Sequence, residues 1–168
     1  PVILFEYDPS RAQAVPLRLL EGWKGHLMAD ALESYGAISF TEGVTRLGCW
    51  VHARRRFVDA GKVLPEGKRG RAHEALALIG KLYAIEKEAR EPSDAERLAR
   101  RQSQSRAVID ELRRWLDQVL PTVPPTSVLG GALGYLHRQW PRLTRYLARG
   151  DLPIDNNWVE NRIRPIAL

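Results

Sequence analysis

A chain of 168 residues, 44% hydrophobic and 27% charged, has the composition of one ordinary soluble domain with its own core, which excludes a disordered tail and a disulfide-stapled miniprotein. Lys and Arg number 26 against 20 Asp and Glu, a formal net charge of +6; this favours a polyanionic partner but is also common among ordinary soluble proteins. The single cysteine, Cys49, excludes an internal disulfide. No apolar run reaches the roughly 18 residues that a bilayer span requires, so a reduced, cytoplasmic setting is expected.

The chain opens on Pro1 and runs directly into Val2-Ile3-Leu4-Phe5, and it closes on Arg164-Pro165-Ile166-Ala167-Leu168 without a polar tail, the pattern expected of a segment of a longer protein. Val2 to Tyr7 is β-rich and bounded by Asp8-Pro9-Ser10, which predicts a strand and a turn. Ser10 can cap a helix carrying Ala14, Leu17 and Leu20, with Pro16 an awkward interior residue. His26-Leu27-Met28-Ala29-Asp30 reads as a short strand ending in a carboxylate, and Val44 to Trp50 as a third strand-like piece. That alternation is the pattern of an α/β sheet.

From Trp50 the periodicity turns helical, with Val51, Phe57 and Val58 on one side and Arg54-Arg55-Arg56 beside them. After a polar break at 65–70, a second helix carries Ala75, Leu78, Ile79, Leu82 and Ile85. Ser93 followed by Glu96 is a capping box for a third, whose pattern runs through Leu98, Ile109, Leu112, Leu116 and Leu120 to Pro121. A further helix is predicted from Val128 to Leu147, kinked or broken at Pro141. In the final segment Asp155 is a good N-cap, and Asn156 to Arg164 can make two turns that Pro165 ends.

Asp30 stands out, because α/β proteins place ligands and metals at the C-terminal ends of sheet strands. Asp8 has a similar position, but Asp8-Pro9-Ser10 is an ordinary turn. Glu160 lies one turn inside the last helix, where Arg164 at i+4 can pair with it. Cys49 and His52 have a spacing seen in metal sites, but no second Cys/His pair matches it, and packing of Cys49 at a strand-to-helix junction is the better account. His52 and Arg54-Arg55-Arg56 make a basic patch at a helix start, where backbone amides also favour phosphate, and Arg162 with Arg164 makes a second basic spot near Glu160. Acidic groups that hold a metal beside basic groups that hold a strand are what phosphodiester chemistry needs.

Two long strings go further. Cys49-Trp50-Val51-His52-Ala53-Arg54-Arg55-Arg56-Phe57, and the run from Ile154 through Asp155-Asn156-Asn157-Trp158-Val159-Glu160 to Leu168, resemble the C-W-x-H-x-R-R-x-F and D-N-N-x-V-E-x-x-x-R-P-I-A-L motifs of transposases of the insertion sequence 66 family. The stretch between them, including Leu82-Tyr83-Ala84-Ile85-Glu86, is similar in order and spacing, so the resemblance covers nearly the whole chain. It implies an α/β fold, a partial ribonuclease-H-like (integrase-like) sheet with a large all-helical insertion before the last helix. Residues 1–62 would form the first part of the core, 63–150 the insertion and 151–168 the final core helix.

The resemblance also implies an acidic triad that binds magnesium or manganese, with Asp30 and Glu160 matching its second aspartate and its glutamate. The first aspartate is expected upstream of Val2, which would leave this chain catalytically incomplete. Asp30 is followed by Ala31-Leu32-Glu33 rather than the family's Gly-Tyr-x, and Glu33 is placed to compete for the metal. The parent protein would cleave a phosphodiester at a transposon end and transfer the freed strand to target DNA, as a homo-oligomer. His52, Arg54, Arg55, Arg56, Asn156, Asn157, Arg162 and Arg164 are then the candidates for DNA contact or for orienting the glutamate helix. Two rival readings need less: a DNA-binding remnant requires only the basic patches, and a helical interaction module predicts an apolar patch exposed on residues 63–150.

Overall fold

Gly25–Met28 (β1) and Val44–Leu47 (β2) pair in parallel, with His26 opposite Thr45 and Leu27 opposite Arg46. The computed structural model describes residues 6–10, 12–31, 35–88 and 93–167, and among them these two strands make the sheet. Parallel strands require a crossover, and here it contains a 3-10 turn, Ala37–Phe40, that buries Ile38. Helix α1 (Ala14–Leu19) precedes the sheet, with Pro16 in its first turn, where a missing amide proton costs no helical bond. The strand expected at Val2 to Tyr7 lies mostly outside the described residues, and Glu6 and Tyr7 are not in a strand.

The third strand-like piece is shorter than expected. β2 stops at Leu47, Cys49 takes the capping position and Trp50 already opens α2 (Trp50–Lys62). Gly48 makes this turn possible: a Cβ there would come within 3.0 Å of the Leu143 amide nitrogen, and its own N–H donates to Arg142 O at 3.0 Å. Trp50 is fully buried, donates from Nε1 to Leu143 O at 2.8 Å and meets Trp140 edge to face at 6.5 Å. With Ala53, Phe57 and Ala60 it forms the helical stripe that the core covers.

Helix α3 (Arg71–Glu88) buries Ala72, Ala75, Leu78, Ile79 and Leu82. Helix α4 (Asp94–Arg100) begins with the predicted capping box, Ser93 Oγ accepting from Glu96 N while the Glu96 carboxylate accepts from Ser93 N. One widened π turn, Arg101–Ser105, joins it to α5 (Arg106–Val119), whose buried stripe is Ile109, Leu112, Leu116 and Val119. Helix α6 (Val128–Leu143) ends two residues after Pro141, and a 3-10 turn, Arg145–Ala148, follows in place of the expected continuation to Leu147. Among the described residues one core cluster runs from Leu47 through the helices to Leu152 and Ile154.

The π turn places a cation in that core. Arg101 is only 1% exposed. Its guanidinium donates to both Glu86 oxygens at 2.8 and 2.6 Å and to the carbonyls of Tyr146, Arg149 and Leu152, and it lies 4.9 Å from the centroid of the Tyr146 ring. Arg101 thus clamps the segment that leads into the last helix.

Helix α7 runs Asn157–Ala167, which corrects two expectations. It begins one residue later than expected, while the Asp155 side chain does hold its first turn, Oδ1 accepting from Asn157 N at 3.0 Å. Pro165 does not end it: only two residues follow, so the lost amide and the clash with the preceding turn are confined to a terminus. The exposed large apolar residues do not gather on the helical block. Of those described, Val63 and Val128 belong to it, while Tyr7, Leu17, Leu19, Trp23, Phe40, Trp158, Val159 and Ile163 lie outside.

Candidate active site

Asp30 lies two residues beyond the end of β1, half-buried. The loop that carries it is tied to β2 by Arg46, which is 2% exposed. Arg46 donates from Nη1 to Tyr35 O at 2.9 Å and from Nη2 to Asp30 O. Burial, reinforced by Arg142, pushes the Arg46 pKa down, and the charge of Asp30 opposes that shift. The carboxylate therefore sits above a buried cation that fixes its own backbone.

Glu160 reaches the same place from α7. One cavity, of about 350 Å³, is lined by Asp30, Tyr35, Asn156, Val159 and Glu160 together with Met28 and Ala29. A second, of about 410 Å³, is lined by Asp30, His52, Arg55, Arg56, Asp59 and Tyr135 with Ala31. Asp30 belongs to both. His52 Nε2 lies 3.4 Å from Glu160 Oε1 and Arg55 Nη2 lies 3.8 Å from Glu160 Oε2, so α2 and α7 meet across the carboxylate. Both separations exceed the 2.7–2.9 Å of a tight charge-assisted hydrogen bond, so His52 and the Arg55 cation border the carboxylate without locking it. Arg56 stacks on Tyr135 at 4.3 Å from the ring centroid, which directs that guanidinium along the wall of the second cavity.

The start of α7 is positioned by a short series of tethers. Tyr83 OH donates to Asp155 Oδ2 at 2.7 Å, and Asn157 donates to the same carboxylate from N at 3.0 Å and from Nδ2 at 3.2 Å. Burial, with the Asp155 bond and charge, raises the Tyr83 pKa. The Cys49 thiol donates to Asn156 Oδ1 at 2.8 Å, Trp50 N donates to Ile154 O at 3.2 Å, and Asn156 O accepts from Glu160 N at 3.1 Å. Burial pushes the Cys49 pKa up, which disfavours the thiolate and agrees with a packing role. Tyr83 carries no functional expectation from sequence, since nothing local pairs a tyrosine in mid-helix with Asp155.

The structure divides the predicted site residues. His52, Arg55, Arg56 and Asn156 gather with Asp30 and Glu160. The expected single patch of three arginines is split, because successive helical residues point about 100° apart: Arg54 stands on the Tyr83 side, where its charge acts on the phenol. The second basic spot is also displaced. Asn157 and Arg162 line a different cavity, with Arg162 over the Trp158 ring at 3.8 Å, whereas Asn156, Val159 and Glu160 face Asp30. The Arg164 side chain and Glu33 lie outside the described residues. Asp8 is a turn residue, accepting from Ser10 N at 2.8 Å and pairing with Arg18 at 3.3 Å.

Two carboxylates on one cavity supply the hard oxygen donors that magnesium, manganese or calcium takes. Among the described residues no group of three or more His, Cys, Asp or Glu comes together around a metal position.

A sequence model described as Transposase IS66 family matches residues 1–168, the whole chain. The chain belongs to this family. Among curated proteins it is similar to three from Sinorhizobium fredii (strain NBRC 101917 / NGR234): uncharacterized protein y4jD, 29% identical over all of this chain and 34% of that protein; uncharacterized protein y4qI, 28% identical over 98% and 31%; and uncharacterized protein y4hP, 26% identical over 100% and 33%. This IS66-family chain thus spans about a third of the length of those relatives. No solved structure matches it significantly. No helix among the described residues is long and apolar enough to cross a membrane.

Proposed function

We propose that this chain is part of the catalytic region of a DNA transposase that performs metal-dependent phosphodiester cleavage and strand transfer at transposon ends. The observation that carries the reading is that Asp30, after a parallel strand, and Glu160, on the last helix beyond the whole helical block, line one cavity with basic side chains on its rim. The order of elements, a parallel β1/β2 pair, then α2 to α6, then α7, is compatible with a partial ribonuclease-H-like core interrupted by a helical insertion.

In this reading Asp30 and Glu160 hold the magnesium or manganese ion, and a bound ion supplies the charge neutralisation that phosphodiester attack requires. Arg55 and Arg56 hold the backbone phosphates at the rim. His52 keeps the Glu160 carboxylate turned toward the cavity through Nε2, and Asn156, held by the Cys49 thiol, fixes the first turn of α7. The partners are transposon-end and target DNA, approached by a homo-oligomer, and the setting is the cytoplasm.

The test is binding of a fluorescent DNA duplex across a salt series, with and without manganese. Wild-type chain is expected to bind more tightly with manganese. The Arg55→Ala/Arg56→Ala pair should bind weakly and lower the slope of log K against log salt by about 1.8, since each phosphate contact contributes about 0.9. Binding indifferent to both arginines would refute the assignment of this face. Manganese-independent binding that remains sensitive to them would favour a DNA-binding remnant.

A further inference from the structure

We infer that the opposite face of α7 carries a separate site for one unpaired nucleotide. The inference rests on the DNA reading above and concerns a different surface. A cavity of about 560 Å³ lies there, and its chemistry is set by Lys87, Asp155, Asn157, Trp158, Asn161 and Arg162, with Glu86 at the back.

Its two carboxylates are already satisfied. Glu86 accepts from the Arg101 guanidinium through both oxygens, and Asp155 accepts from Tyr83 and twice from Asn157. What remains for a ligand is the Lys87 ammonium, the Asn161 amide and the Arg162 guanidinium, which sits 3.8 Å from the centroid of the Trp158 indole and is steadied there by one bond from Nη1 to Trp158 O at 3.2 Å, with Trp158 itself 43% exposed. A guanidinium stacked on an indole offers a broad cationic plane on which a nucleobase can lie. An amide beside it can meet a base edge, and an ammonium can meet a phosphate. A paired base has its faces covered by its neighbours, so the site selects an unstacked, single-stranded nucleotide. Because Asn156, Val159 and Glu160 face Asp30 while Asn157, Trp158 and Arg162 face this cavity, the two sites lie on either side of one helix. A strand opened at Glu160 has the site within about 10 Å, one helix diameter.

The experiment compares an oligodeoxythymidine of about 15 nucleotides with a duplex of equal length, read by anisotropy on wild type, Trp158→Ala, Trp158→Phe and Asn161→Ala, with sedimentation of each protein alone. Trp158→Ala removes the indole that backs the Arg162 plane, and loss of the base stack built on it predicts single-strand binding weakened about 5- to 150-fold. Trp158→Phe should restore most of it, Asn161→Ala should weaken it severalfold, and duplex binding should stay unchanged in all three. Unaltered single-strand binding in Trp158→Ala, or equal loss on both probes, would overturn the inference. So would a wild-type self-association that Trp158→Ala abolishes, which would mark the face as a contact between copies. Failure of this inference leaves the Arg55- and Arg56-dependent duplex binding intact, whereas failure of the DNA reading removes that binding first.

Discussion

Replacing Arg101 by Met removes a guanidinium that is 1% exposed and leaves behind a Glu86 carboxylate that is only 13% exposed, together with the carbonyls of Tyr146, Arg149 and Leu152. Breaking a buried ion pair by removing one partner costs about 3–5 kcal/mol, because the surviving charge loses its compensation. For a domain of this size each kcal/mol lowers the Tm by about 2–4 °C, so Arg101→Met should melt about 6–20 °C below wild type. Urea unfolding followed by tryptophan fluorescence gives the free energy directly. Arg101→Lys should also lose much of the stability, since an ammonium cannot fork across Glu86 and three carbonyls. The Glu86→Gln/Arg101→Met double variant should recover part of the loss by discharging the orphaned acid. A cost below about 1 kcal/mol for Arg101→Met would refute the reasoning, as would a double variant less stable than Arg101→Met alone.

Other consequences follow from particular contacts. The Tyr83 pKa is raised in the fold, so above pH 10 the unfolded chain loses this proton while the folded chain keeps it, and stability should fall with rising pH by about 1.4 kcal/mol per unit from this group. Urea midpoints measured between pH 9 and 11 should fall less steeply in Tyr83→Phe than in wild type, and parallel slopes would contradict the burial of this phenol against Asp155. Gly150→Ala places a Cβ against the Asp94 carbonyl and should cost about 1–3 kcal/mol. Gly80, exposed in mid-α3 with open space around it, should gain about 0.5–1 kcal/mol as alanine; thermal melts of the two variants should move in opposite directions. Cys49, buried and bonded to Asn156, should react with iodoacetamide only as fast as the surrounding structure opens, whereas rapid labelling in native buffer would contradict its placement.

What the sequence made legible was local. The Ser93/Glu96 box and the strand ending near Asp30 rest on spacing within a turn or on alternation, whereas the buried stripe of α2 is Trp50, Ala53, Phe57 and Ala60 and shares only Phe57 with the expected Val51, Phe57 and Val58. Asp30 and Glu160 both line one cavity, and the helix carrying Glu160 begins one residue later than expected and passes through Pro165. The rest depended on partners far apart in the chain. Arg101 sits in the polar run Arg100 to Arg106 and reads as a surface residue, yet its ligands come from α3 and from three carbonyls near residue 150. Tyr83 and Asp155 are likewise remote in sequence. The arginine triplet looked like one patch only because a string has no rotation: on a helix, Arg55 and Arg56 share the Asp30 cavity and Arg54 turns away toward Tyr83.

The most direct test of the account is manganese affinity by calorimetry in a double-mutant cycle of Asp30→Asn and Glu160→Gln. If the two carboxylates hold one ion, each single variant should lose most of the binding, and the double variant should lose little more, far less than the sum of the two. Additive small losses, or binding unchanged in both singles, would contradict a shared site and detach Asp30 and Glu160 from any common chemistry.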